Sequence, residues 1–102
     1  MRIEVSSFVE GDLDAIADYI AQDNPRRALS FLRQIRAQIL ALGHRPLRFR
    51  LRTELEEDAR VALVGRYGIL FRIRDDAVRV ERVVYCAHDL LALFQEDIDG
   101  KR

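Results

Sequence analysis

The hydrophobic pattern changes period twice along the chain. Ile3 and Val5 alternate with Arg2, Glu4 and Ser6, which predicts a short strand over 2–6. Leu13, Ile16, Ala17 and Ile20 then fall at i, i+3, i+4 and i+7, the single apolar stripe of a helix. Ser7-Phe8-Val9-Glu10 fits a capping box ahead of that stripe, with Ser7 as N-cap and Glu10 at the third helical position. Asp23-Asn24-Pro25 breaks this helix and opens the next, Asn24 suiting the N-cap and Pro25 the first turn. The second helix carries Ala28, Leu29, Leu32, Ile35, Ile39 and Leu42 on its apolar face and stops at Gly43. Two amphipathic helices this close in sequence predict an antiparallel hairpin.

From residue 59 the period becomes two. Val61 and Leu63 alternate up to Gly65, Tyr67 through Ile73 up to Asp75-Asp76, and Val78 and Val80 beyond. This predicts a three-stranded antiparallel meander turning at Gly65-Arg66 and at Asp75-Asp76. The phase breaks at Val83-Val84-Tyr85, which predicts a bulge there. Leu90, Leu91, Leu93, Phe94 and Ile98 predict a short C-terminal helix over 88–98. The order is β-α-α-β-β-β plus that helix. It is an α+β fold in which the hairpin packs on one face of a small antiparallel sheet, with the N-terminal strand pairing into it.

The length of 102 residues makes 1–102 a single domain. Hydrophobic residues at 49% and charged residues at 33% are globular proportions. No apolar run approaches a membrane span, and the charged, alternating N-terminus does not read as a signal peptide. The single cysteine, Cys86, excludes an internal disulfide and a cysteine-based zinc site. These features predict a cytoplasmic protein.

The net charge is zero, but the charges are segregated. Residues 1–24 hold one Arg against six acids, whereas residues 25–53 hold eight Arg and no acid. The irregular stretch 43–58 runs from basic (Arg45, Arg48, Arg50, Arg52) to acidic (Glu54, Glu56, Glu57, Asp58). Phe49 and Leu51 alternate with Arg inside it, the signature of a short strand. A neutral total argues against stable direct binding of nucleic acid by the chain alone, while the middle of the chain offers a local anion-seeking surface. The Arg run has two readings: it engages an acidic partner, or it pairs with the acids that follow.

No phosphate-cradling glycine loop, HExxH or Ser/His/Asp arrangement occurs. Cys86 and the two histidines lie far apart, so neither metal nor cofactor is expected. His44 follows a helix stop and reads as exposed and structural. His88 reads either as a general acid or as a residue at the start of the last helix. Cys86 reads as a small buried hydrophobe. Tyr85 reads as core or interface, and Tyr19 as the rim of the first helix.

Three ordered stretches carry a family resemblance. Asp12-Leu13-Asp14-Ala15-Ile16-Ala17-Asp18-Tyr19-Ile20, followed by Asn24-Pro25, is similar to a D-L-x-x-I-x-x-Y-I pattern before an N-P break. Val64-Gly65-Arg66-Tyr67-Gly68-Ile69-Leu70-Phe71-Arg72-Ile73 is similar to V-G-R-Y-x-I-x-Y-R-V. Val78-Arg79-Val80-Glu81-Arg82-Val83-Val84-Tyr85-Cys86-Ala87-His88-Asp89-Leu90 is similar to I-x-R-V-L-H-G-x-R-D-L. Together they resemble the ParE toxins of the RelE/ParE superfamily of bacterial toxin–antitoxin systems. The chain departs from the pattern at Tyr85-Cys86, in place of His-Gly, and at His88, in place of Arg or Lys.

The resemblance implies a toxin that inhibits DNA gyrase by binding, with no chemistry of its own. It also implies a cognate antitoxin of ribbon-helix-helix type that forms a hetero-oligomer with it. Partner-binding residues would then be Arg26, Arg27, Arg33 and Arg36 on the hairpin, with Arg45, Arg48, Arg50 and Arg52. Leu13, Ile20 and Phe31 read either as apolar residues that the antitoxin partly covers or as core. Two alternatives stand beside this: a RelE-type ribosome-dependent messenger-RNA endonuclease, and a non-toxic antitoxin-binding module. An endonuclease would use Arg66, Arg82, Tyr85 and His88, supplying a base, cations for the phosphorane and an acid. Gly68 stands where RelE-type nucleases carry an arginine.

Overall fold

In a computed structural model, residues 1–86 are described. The predicted C-terminal helix and His88 lie outside them. Strand β1 (Arg2–Val5) leads into helix α1 (Val9–Ala21) and helix α2 (Pro25–Ala41). A single 3-10 turn (Pro46–Arg48) follows, and then the meander β2 (Arg60–Val64), β3 (Tyr67–Arg74) and β4 (Ala77–Tyr85). The sheet order is β1-β4-β3-β2. The meander is antiparallel, and β1 joins it parallel to β4, so the whole sheet is mixed. Among the described residues no helix is long and apolar enough to cross a membrane.

The hairpin covers one face of this sheet. Val9, Leu13 and Ile16 of α1 and Phe31, Ile35 and Ile39 of α2 pack on Ile69, Phe71, Val78, Val80 and Val83. Burying each large aliphatic or aromatic side chain contributes about 1.5–3 kcal/mol. Leu13 and Phe31 are therefore core residues, not apolar surface awaiting a partner. The apolar face of α2 is rotated from the sequence reading: Phe31 points inward and Leu29 is exposed. Asn24 caps α2 as expected, its side-chain oxygen accepting the Arg27 N–H at 3.0 Å. At α1 the cap shifts by one residue. The hydroxyl of Ser6, not of Ser7, accepts the Phe8 N–H at 3.3 Å, and no side chain caps the helix at Phe8 itself.

Both hairpin turns fall where glycine and aspartate place them. Asp75 and Asp76 both have positive φ, the conformation a two-residue turn of the mirror-image type needs. Gly65 has φ +58°, and a Cβ there would sit 3.3 Å from the Phe31 ring, so the turn also packs against α2. The bulge lies earlier than the sequence reading put it. Phe71 pairs with Val80 and Leu70 with Arg82, which leaves Glu81 as the extra residue. Ser6 explains why it is stable there: its N–H donates to the Val80 carbonyl at 2.9 Å and its hydroxyl to the Glu81 carbonyl at 2.6 Å. Of the stretch around Phe49 and Leu51, only Leu51 forms a bridge, to Arg60.

Candidate functional site

The arginines of β3 and β4 are neutralised from within. Arg72 and Arg79 stand directly opposite each other, a like-charge pair that by itself is unfavourable. The bulged Glu81 answers both, 3.4 Å from Arg72 Nε and 3.2 Å from Arg79 Nε. The acidic segment after Arg52 folds back as a strap and adds Glu56 and Asp58 to Arg72. Asp58 also accepts from Arg74 Nε at 3.1 Å. Arg72 is mostly buried, while the pairs of the exposed Arg74 and Arg79 contribute only about 0–1 kcal/mol each. Their consequence is positional: the guanidiniums are turned toward the chain's own carboxylates.

Arg82 is held more firmly. Its Nε and Nη2 donate to the two carboxylate oxygens of Asp12 at 2.9 and 2.7 Å, and its guanidinium lies 5.0 Å from the Phe8 ring centroid. Asp12 Oδ2 also accepts the Val83 backbone N–H at 2.9 Å. The Arg82 hydrogen bonds hold the Asp12 carboxyl below its usual range against a burial effect that would raise it, and the Val83 N–H adds to the lowering. Arg66 sits in the turn between β2 and β3, where its carbonyl accepts the Cys86 N–H at 2.8 Å. Tyr85 packs edge-on against Tyr67, ring centroids 5.6 Å apart. Of the four residues an endonuclease reading would use, Arg82 is tied to α1, Tyr85 belongs to a tyrosine cluster, and His88 lies outside the described residues.

Position 68 is tight for a side chain, at the wall of an apolar pocket that Val61, Leu70, Val84 and Cys86 also line. A Cβ on Gly68 would lie 3.0 Å from Val61 Cγ1 and 3.1 Å from Cys86 Sγ. Val61 and Cys86 form a small second core on the sheet, with Leu63 and Leu70 packed against them. Burial pushes the Cys86 thiol pKa up, as expected of an inert cysteine. Among the described residues no group of three or more His, Cys, Asp or Glu is placed to hold a metal ion.

The hairpin presents its arginines differently. Arg26, Arg27 and Arg33 are exposed and have no carboxylate partner among the described residues. Arg27 lies over the Phe31 ring, 4.8 Å from its centroid. Arg36 is engaged: it donates to both carboxylate oxygens of Glu10, at 3.0 and 3.1 Å. Those bonds lower the Glu10 pKa and raise that of Arg36. The basic run after α2 divides. Arg45, Arg48 and Arg50 are exposed, Arg48 lying over the Phe49 ring. Arg52 is buried at 3% exposure and pairs with Glu54 at 2.6 Å.

Three features were not visible to sequence reasoning: the role of Asp12, the Arg72 clamp and the meeting of Tyr19, Tyr67 and Tyr85. Asp12 did carry a signal, since it opens the first quoted motif, but its partners are about 70 positions away.

The chain is similar to a chain of the chromosomal ParDE TA system from P. aeruginosa, with a TM-score of 0.74 and 21% identity. The match covers 85% of this chain and 97% of that one, and at this identity it speaks for the fold. No curated protein matches the chain. The sequence model described as "ParE toxin of type II toxin-antitoxin system, parDE" matches residues 3–90. That span takes in α1, α2, β2, β3, β4 and all but the first residue of β1, and the chain therefore belongs to the ParE toxin family of type II toxin–antitoxin systems.

Proposed function

We propose that this toxin acts by binding DNA gyrase, without chemistry of its own, and that a cognate antitoxin of ribbon-helix-helix type neutralises it in a hetero-oligomeric complex. The pairing of the sheet arginines with the chain's own acids carries this reading. Metal-free RNA cleavage needs cations beside the scissile phosphate. Here the clamp position holds Gly68 packed on Val61 and Cys86, and Arg72, Arg79 and Arg82 are bound to the chain's own acids. Among the described residues the hairpin offers unpaired positive charge through Arg26, Arg27 and Arg33, as do Arg45 and Arg48 after it and Arg66 in the β2–β3 turn. Charge arranged in this way steers association with an acidic partner more than it adds affinity.

Expression in a bacterial host tests the reading. A gyrase-binding toxin induces the double-strand-break response while messenger RNA stays intact, and co-expressed antitoxin suppresses it. Messenger-RNA cleavage at ribosomal A-site codons, without DNA breaks, would instead favour the endonuclease alternative. Absence of both would leave the antitoxin-binding module.

A further inference from the structure

The chain has three tyrosines and no tryptophan. All three meet at one end of the molecule, although they come from α1, β3 and β4. Among the described residues, Tyr19, Tyr67 and Tyr85 line an open notch of about 420 Å³. The strand register sets Tyr67 opposite Tyr85, and their rings stand at 74° with centroids 5.6 Å apart, two walls nearly at right angles. Tyr19 closes the third side from α1. Tyr19 and Tyr85 remain 68% and 61% exposed, a large aromatic surface for a chain this small.

The electrostatics of the notch favour a cation. Aromatic faces carry the negative lobe of the ring quadrupole. Tyr19 lies in the last turn of α1, whose carbonyl end is the negative end of the helix dipole, and that turn holds no basic residue. Asp18 and Asp23, both exposed, add carboxylates at the same helix end. The chain already uses this chemistry next door. The Tyr67 ring continues to Phe31 at 5.6 Å, and Phe31 carries the Arg27 guanidinium on its face. Among the described residues no cation lies over any of the three tyrosines. Arg66, in the turn before Tyr67, stands exposed.

We propose that this notch is an aromatic cage for an organic cation, and that its occupant is an arginine side chain of a partner protein. The openness of the notch selects that source. A free small-molecule cation is held in sites that enclose most of its surface. A side chain delivered by a larger interface needs only a partial cage, and tyrosine and arginine are the residues on which such interfaces concentrate their energy. The inference goes beyond the gyrase reading and does not rest on it.

The absence of tryptophan makes intrinsic tyrosine emission a direct reporter. The full-length toxin is titrated with acetyl-Gly-Arg-Gly-amide, with its neutral citrulline isostere, and with acetyl-Gly-Glu-Gly-amide. The arginine peptide gives a saturable change and binds about two- to thirty-fold tighter than the citrulline peptide. Tyr19→Leu and Tyr85→Leu each remove that preference, whereas Tyr19→Phe and Tyr85→Phe keep it, because the ring and not the hydroxyl is used. Both positions are exposed, and an unchanged thermal midpoint confirms that the variants fold. Equal binding of the citrulline peptide, tighter binding of the glutamate peptide, no saturable change, or a preference that survives the leucine variants each overturns the proposal.

Discussion

Asp12 and Arg82 close the edge of β4 where β1 leaves it. The β1–β4 pairing ends at Val5 and Val80. Beyond that point Ser6 serves the Val80 and Glu81 carbonyls, and Asp12 accepts the Val83 N–H while holding the Arg82 guanidinium. After the Ser6 N–H, two side chains continue the ladder. They also fix the N-terminal end of α1 to the sheet, with the acid where the helix dipole favours it.

The first prediction follows from that pair. The Asp12 carboxyl has a lower pKa folded than unfolded, so its contribution is present above the unfolded value, about 3.9, and is lost as pH falls through the folded one. Asp12→Asn is expected to lower stability by about 1.5–3 kcal/mol at pH 7, the range for hydrogen bonds to charged groups. The gap between variant and parent narrows below about pH 4. Urea unfolding at pH 7 and at pH 3 measures both numbers.

Gly68→Ala tests whether position 68 is closed. The added methyl requires Val61 and Cys86, both buried, to give by a few tenths of an ångström, and a neighbourhood that does not give is overpacked at a cost of about 1–3 kcal/mol. An arginine there costs more. A Gly68→Arg variant that folds with an undiminished denaturation midpoint would show that the site can still receive the endonuclease residue.

The strap depends on Arg72. Arg72→Ala removes the partner of Glu56, Asp58 and Glu81 at once, and the strap amides of Leu55, Glu56 and Ala59 are expected to exchange with solvent faster. The amides of α1 and α2 serve as the unchanged reference. Equal exchange across the strap would mean that its backbone hydrogen bonds hold it without the ion pairs.

Arg26, Arg27 and Arg33 should matter to association and little to folding. Replacing all three with Ser is expected to shift stability by no more than about 1 kcal/mol, since they are exposed. The same variant is expected to slow gyrase binding, with the difference fading at high salt as screening shortens the range of the charges. Stopped-flow association at two ionic strengths reads this out.

Much of the fold was legible in local signals. The Asn24-Pro25 break, the Asp75-Asp76 turn and the alternation of β3 each rest on the chemistry of neighbouring residues. What escaped was set by contacts distant in sequence. Ser6 rather than Ser7 serves the start of α1 because the β4 edge fixes its position, and the same contact moves the bulge to Glu81. The parallel placement of β1 needs the whole crossover and has no local signature. The Arg-rich and acidic halves of 43–58 were visible as composition, but Glu56 and Asp58 reach past Arg45–Arg52 to Arg72, which only the sheet brings near. Likewise, single tyrosines read as rim or core until three elements set them side by side.

The central claim is inhibition of gyrase by binding alone. Purified toxin is added to gyrase, ATP and relaxed plasmid, and linear DNA is scored after protease treatment, with the cognate antitoxin as the reversing agent. The account predicts loss of supercoiling together with accumulated linear DNA, both abolished by an equivalent of antitoxin. Normal supercoiling at saturating toxin, with no linear product, would contradict it.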